Sequence, residues 1–346
     1  MKRRFFLQSI FGGLTGTILF YNCKAQKNET VFDGTGKRKI SFGICSDVHQ
    51  DIFYKVEERL EEFIQKANEK KMDFIIQLGD FCFPKEENQN FMSIWNSFNG
   101  PKYHVLGNHD MDKGTKEEIL DFWGADKTKP YYSFDFESFH FIVLDPNNIR
   151  KDGKSIAYSK GNYFSENQDD INYIPAEQLE WLKDDLSKTS RPTIIFSHQP
   201  ICQTVSKKKD IVADGSGVLD ILSEANKDSK KVIACFSGHL HKNWHVQEHS
   251  IHHIQINSMG YLWVGDNYIC ETRYPREVQE KYPLLKKMIP YKDALYGFVE
   301  LDLDNEEIRI TGKSSEFIPP GPQELGINET GIFAPSPSID SRVIRF

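Results

Sequence analysis

Five short apolar runs in this chain end in the same kind of residue, and that recurrence limits the fold more than any other feature. Ile40 to Cys45 leads into Asp47 and His49, and Phe74 to Leu78 into Gly79 and Asp80. Tyr103 to Leu106 leads into Gly107-Asn108-His109-Asp110, Thr193 to Phe196 into Ser197 and His198, and Val232 to Phe236 into Gly238-His239-Leu240-His241. Runs of this length, rich in β-branched and aromatic residues, read as strands. One Asp or Asn after a strand is ordinary turn chemistry. Five strand ends that all carry His, Asp or Asn are a different matter, because ligands of open α/β sheets collect beyond the carboxyl ends of the strands. Glycine precedes Asp80, Asn108 and His239, which lets the backbone approach closely at those points.

Between these strands the pattern turns helical. Val56, Leu60, Phe63, Ile64 and Ala67 share one helical face, as do Phe91, Ile94, Trp95 and Phe98. Pro175 opens a helix whose inward residues are Leu179, Leu182 and Leu186, and another lies around Val218 to Ala225. Hairpins are expected at residues 131–144 and 244–256, and residues 295–303 pair with 308–311. This is an α/β alternation with antiparallel hairpins added late, which predicts sheets packed together under outer helices. With 39% hydrophobic and 13% aromatic residues, the chain can bury a packed core as one large domain or two. Residues 146–174 and 257–291 lack periodicity, and the Pro-, Gly- and Ser-rich residues 313–346 predict an irregular surface tail. No internal repeat is present.

A net charge of −7 with no long basic run weighs against sequence-independent nucleic-acid binding, which needs concentrated Lys and Arg. It leaves a small phosphorylated partner open. None of the six cysteines forms a C-x-x-C pair, which argues against a thiolate zinc site. Cys45 and Cys235 sit in strand runs and read as buried hydrophobes.

The first 25 residues form a separate piece. A basic start, an apolar stretch to Phe20 and then Cys23 have the form of an export signal. Arg3-Arg4-Phe5-Phe6-Leu7 resembles the twin-arginine signal, and Cys23 resembles a lipoprotein acylation site, although Phe20, Tyr21 and Asn22 depart from the small residues expected before it. The expectation is a protein exported to the periplasm or cell envelope, touching a membrane only through this signal or a lipid on Cys23.

The ordered set Asp-x-His, Gly-Asp, Gly-Asn-His-Asp, His, Gly-His-x-His, spread from Asp47 to His241, resembles the calcineurin-like metallophosphoesterases. That superfamily includes purple acid phosphatases and class III cyclic nucleotide phosphodiesterases. The resemblance implies one domain over residues 38–312, an αββα sandwich of two mixed sheets flanked by helices, and two metal ions, divalent or mixed-valence Mn, Fe or Zn. Carried over residue by residue, it puts Asp47, His49 and His241 on one ion and Asn108, His198 and His239 on the other, with Asp80 bridging. It implies attack on phosphorus in line by hydroxide held between the ions, with His109 facing the substrate and Asp110 orienting that imidazole. One departure argues against the iron-tyrosinate subtype: Phe83 stands where purple acid phosphatases have a tyrosine ligand. His104, His140, His245, His249, His252 and His253 read as strand or hairpin surface.

The expected activity is therefore hydrolysis of a small phosphodiester or phosphomonoester, with a nucleotide favoured. Tyr158, Tyr163, Phe164, Tyr261, Trp263 and Tyr268, in the two irregular stretches, are candidates to stack a base. A non-catalytic scaffold of the same fold and a nuclease are the other classes. Scaffolds tend to lose ligands and none is lost here; the acidic balance disfavours the nuclease.

Overall fold

Alternate residues of each central strand face two different cores, which is why these strands read as unbroken apolar runs. In the computed structural model, which describes residues 36–165, 170–204, 210–213 and 215–346, β1 (Lys39–Cys45) sends Ile40, Phe42 and Ile44 into one cluster and Cys45 into another. The expected export signal, with Cys23, lies outside the described residues. Among those described, no helix is long and apolar enough to cross a membrane.

The chain continues through α1 (Val56–Glu69), β2 (Phe74–Gln77), α2 (Gln89–Asn96), β3 (Lys102–His104) and α3 (Lys116–Phe122). Next come the hairpin of β4 (Tyr132–Phe136) and β5 (Phe139–Val143), the small ribbon of β6 (Asn148–Lys151) and β7 (Lys154–Ala157), and α4 (Ala176–Lys188). Then follow β8 (Thr193–Ser197), α5 (Gly215–Ala225), β9 (Val232–Ser237), β10 (Trp244–Glu248), β11 (Ile251–Gln255), β12 (Tyr261–Trp263) and α6 (Arg276–Lys281). The last strands are β13 (Met288–Pro290), β14 (Gly297–Asp302), β15 (Glu307–Thr311) and β16 (Arg342–Arg345).

Two six-stranded mixed sheets result, in the orders β16-β15-β14-β1-β2-β3 and β10-β11-β9-β8-β5-β4. Between them Phe42 stacks on Phe74 with ring centroids 4.8 Å apart and meets Phe141 and Phe196 edge-on at 6.2 and 5.9 Å. Outside the first sheet, α1 buries Val56, Leu60, Phe63, Ile64 and Ala67, the stripe its spacing predicts. Its first turn carries Glu57 and Glu58 and its last Lys66, matching the helix dipole. Outside the second sheet, α4 contributes Leu182 and Leu186, and α5 Val218, Leu219 and Leu222, to a third cluster. The architecture is the αββα sandwich expected.

What this fold does for function is set by strand direction. β1, β2 and β3 run parallel, as do β5, β8, β9 and β11, so each sheet gathers its parallel strand ends at one edge. The two edges meet: the amide of His239 donates to Asp47, and that of Met259 to the Ser46 carbonyl.

The C-terminal residues differ from the sequence expectation. Residues 313–341 are largely irregular, but β16 pairs antiparallel with β15, and Ile339 and Ile344 join the core between the sheets. Four residues, two of them arginines, give no periodic signal, and their pairing partner lies more than 30 residues away. The two irregular stretches hold the β6–β7 ribbon and the β12–β13 ladder.

Candidate metal centre

The turns that follow β1 and β2 run side by side. The amide of Asp47 donates to the Gly79 carbonyl at 3.1 Å and that of His49 to the Asp80 carbonyl at 2.9 Å. A Cβ on Gly107 would strike the backbone nitrogen and the carboxylate of Asp80, and one on Gly238 would strike the Ser46 hydroxyl, so both positions demand glycine for close approach. Five candidate ligands, Asp47, His49, Asp80, His239 and His241, hold φ between 49° and 74°, a left-handed conformation that costs a non-glycine residue about 1–2 kcal/mol. Strain concentrated this way marks a site whose surroundings fix it for function.

Two groups of donor atoms result, each within 4.8 Å of one another: Asp47, His49 and His241, and Asp80, His198 and His239. In the first, His241 Nε2 lies 3.3 Å from both Asp47 Oδ1 and His49 Nε2. Asp80 spans the groups, with Oδ2 3.2 Å from His198 Nε2 and 3.6 Å from His49 Nε2. Its Oδ1 accepts from the His109 amide at 2.8 Å, which fixes the carboxylate's orientation.

The imidazoles are oriented from behind. His198 Nδ1 donates to the Leu78 carbonyl at 2.7 Å and His241 Nδ1 to the Tyr261 carbonyl at 3.1 Å, leaving each Nε2 for the site. Asn108 donates through Nδ2 to the Tyr163 hydroxyl at 3.3 Å. Its Oδ1 is buried without a hydrogen-bond partner, while the buried His198 Nε2 has only the Asp80 carboxylate, at 3.2 Å. Buried polar atoms are ordinarily paired. An unpaired amide oxygen, two buried carboxylates and four imidazoles form a donor set that fits hard or borderline divalent cations such as Mn or Zn.

Electrostatics agree. Burial drives His49 and His239 down to about 3, keeping them neutral as ligands must be. Burial opposes charge on His198 as well, but Asp80 overrides it and raises the group to about 9. His109 is likewise raised to about 9, by Asp80 and Asp112 against burial. Burial alone would raise Asp47 and Asp80; their histidine neighbours, His241 first for Asp47 and His198 first for Asp80, hold both below the usual carboxylate range.

Asp110 does not do what the sequence suggests. Its carboxylate accepts from the backbone amides of Asp80, Phe81, Cys82 and Gly107, at 3.1, 2.7, 3.2 and 2.8 Å, and so ties the β2 turn to the β3 turn. The partner of His109 is Asp112, whose Oδ2 lies 2.8 Å from Nδ1. Residues 109–111 form a 3₁₀ turn, in which i and i+3 eclipse, so Asp112 rather than Asp110 comes alongside the ring. Tyr163 completes this group. Its hydroxyl donates to Asp112 Oδ1 at 2.5 Å and lies 3.2 Å from His109 Nδ1; burial, then Asp112, hold the phenol well above its usual pKa, so it keeps its proton.

The aromatic candidates divide. Tyr158, Tyr163 and Tyr261 are buried, Tyr158 and Tyr163 stack at 4.4 Å, and Tyr268 packs on the core between the sheets, so these four pin their loops. Phe164 and Trp263 are exposed, at 63% and 43%. Four of the remaining histidines correct the surface reading: His104, His140, His252 and His253 are buried. Trp95 Nε1 donates to His104 at 3.1 Å, and His140 lies between Asp135 and Asp185 at 2.7 and 2.8 Å. Neither belongs to the donor groups. Cys45, Cys82, Cys202, Cys235 and Cys270 are buried and unbridged.

A cavity of about 350 Å³ opens over the donors; Ile52, Lys242, Tyr261, Trp263, Leu284 and Phe333 complete its wall. A separate cleft of about 480 Å³ between α4 and α5 contains none of these residues.

The sequence profile of calcineurin-like phosphoesterases matches residues 40–243. An Arabidopsis thaliana protein named manganese-dependent ADP-ribose/CDP-alcohol diphosphatase is 27% identical over 293 residues, covering 66% of this chain and 91% of its own. A rice protein of the same name is 26% identical over 219 residues, covering 52% of this chain and 66% of its own. Among solved structures, a dimetal phosphatase from Danio rerio superposes with a TM-score of 0.56 at 15% identity, over 81% of this chain and 98% of that one, a likeness of fold.

Proposed function

The chain belongs to the calcineurin-like phosphoesterase family and is a phosphoester hydrolase, and from that premise we propose that it uses two metal ions to cleave the diphosphate linkage of a nucleotide-derived small molecule. The observation that carries the two-ion reading is the position of Asp80, whose Oδ2 faces one donor from each group, His49 Nε2 and His198 Nε2, while the buried Asn108 Oδ1 has no hydrogen-bond partner. The diphosphate reading draws on the names of the Arabidopsis and rice relatives, together with a cavity wide enough for more than a bare phosphate.

Asp47, His49 and His241 would hold one ion, Asn108, His198 and His239 the other, and Asp80 both. Bound there, the ions supply an activated water and neutralise charge on the phosphoryl oxygens. The protein's own task is orientation. Asp112 and Tyr163 hold His109 through Nδ1, which leaves its other nitrogen to hold a phosphoryl oxygen or to give a proton to the departing oxygen. Phe164 and Trp263 are the aromatic faces free to meet a base.

Assay of the purified, Mn-loaded protein on ADP-ribose, a CDP-alcohol, a cyclic nucleotide, an aryl phosphomonoester and an aryl phosphodiester tests this. The expected outcome is the highest kcat/KM on the two diphosphates; a monoester or cyclic nucleotide ahead of both would overturn it. We further propose export through residues 1–25. A mature chain beginning near Cys23 is expected, and mass spectrometry showing an intact Met1 would refute processing.

A further inference from the structure

A diphosphate brings two charged phosphoryl groups into the cavity, and the metal donors account for only the one under attack. The other needs its own cation, since an uncompensated charge is costly to bring into a partly dry site. Among the described residues, Lys242 is the sole lysine or arginine in the cavity wall; the carboxylates there are Asp80 and Asp210. Lys242 directly follows the candidate ligand His241, so its backbone is fixed by the turn that places that imidazole. Its ammonium is held from outside: Nζ donates to Glu329 at 2.7 Å and lies 5.6 Å from the centre of the Phe333 ring. Glu329 and Phe333 come from the C-terminal segment, beyond the residues that the family profile matches. The side chain is 20% exposed, drawn in against the wall instead of extended into solvent.

We propose that Lys242 binds the phosphoryl group that is not attacked, with Glu329 and Phe333 holding the ammonium at the cavity wall in readiness. This rests on the diphosphatase reading above. An ammonium has three donors, so Lys242 can keep Glu329 and still donate to a phosphoryl oxygen. The C-terminal segment thereby becomes part of substrate selection, although it lies far in sequence from the metal ligands.

The test uses the Mn-loaded full chain and two probes: an aryl phosphodiester with one phosphoryl group, and the non-hydrolysable α,β-methylene analogue of ADP-ribose as its competitive inhibitor. Lys242→Met keeps the apolar stem over Phe333 and removes the charge. The expected result is a rise in the inhibitor's Ki on the order of tenfold relative to any change in KM for the diester, as the loss of a charged hydrogen bond gives. Glu329→Gln, whose amide oxygen still accepts from the ammonium and so keeps it at the wall while the competing charge is gone, should leave the inhibitor bound at least as tightly as in the parent. Equal shifts of Ki and KM in Lys242→Met, no shift in either, or an equally weakened inhibitor in Glu329→Gln would overturn the proposal and leave Lys242 a tether of the C-terminal segment. Failure of the diphosphatase reading shows separately, as a parent enzyme that turns over the diester and not ADP-ribose.

Discussion

The floor of the cavity and its rim are built on opposite terms. On the floor, each candidate ligand sits in the first residues after a parallel strand, its backbone often left-handed, and is tied by amides and carbonyls of the neighbouring turn. On the rim, Trp263 and Phe333 are 43% and 37% exposed, and Lys242 is held by one ion pair to a distant segment. Buried, strained and backbone-tied positions tolerate few residue types; exposed positions held by side chains tolerate many. On the proposed function the comparison divides reaction type from substrate choice: the floor would supply the chemistry, and the rim would select what is cleaved.

Asp80→Ala attacks the floor at its most connected point. Loss of metal from both groups and turnover at background are expected by elemental analysis and assay, whereas His49→Ala should empty mainly one group. Full activity with one ion per chain would break the two-ion reading.

His109→Ala removes a floor residue that is not counted among the ligands. Metal content should hold while kcat on a substrate with a poor leaving group falls about 10²–10⁴-fold. Near-parental turnover would assign that work elsewhere.

Tyr163→Phe and Asp112→Asn act one step behind His109. A fall of about 10–100-fold is expected, the size typical for partners that orient a functional group. Asp110→Asn should instead loosen the β2 and β3 turns, so its loss should appear in thermal stability as well as rate. If Asp112→Asn behaves like Asp110→Asn, the His109 pairing carries no function.

A smaller effect comes from pH. Without metal, His198 is held protonated up to about 9 by Asp80, and a metal must displace that proton. Apparent Mn affinity should therefore rise with pH, about tenfold per unit below 9 if one proton is released. A flat isotherm series between pH 6 and 8 would contradict this.

Trp263→Ala probes the rim, where the smallest change is expected. For a half-exposed ring the low end of base stacking applies, about 1 kcal/mol, or about fivefold in KM for a nucleotide substrate. KM for a small aryl phosphate should scarcely move. Equal changes in both would make Trp263 structural and blur the division between floor and rim.

The sequence by itself determined the αββα class and which residues form the floor. Both follow from local rules: an apolar run buried on two faces makes a parallel strand, and parallel strands bring their carboxyl ends to one edge, so Asp47, Asp80 and Asn108 collect at the edge of one sheet and His198 and His239 at the edge of the other. Only the tertiary structure decided what stands behind and above them. The choice of Asp112 over Asp110 turned on a 3₁₀ turn that rotates the nearer carboxylate inward to four amides. Tyr163 reaches His109 from 54 residues away in a loop without periodicity, and its aromatic character pointed to stacking, whereas the structure puts its hydroxyl beside His109 and Asp112. His104 and His140 looked like surface because strand alternation does not reveal that both faces of a strand are covered. Glu329 and Phe333 reach the rim because their segment ends in β16, and an edge pairing between distant residues leaves no mark in either stretch alone. Local physics writes the floor into the chain; the rim depends on contacts whose partners are chosen only when the chain has folded.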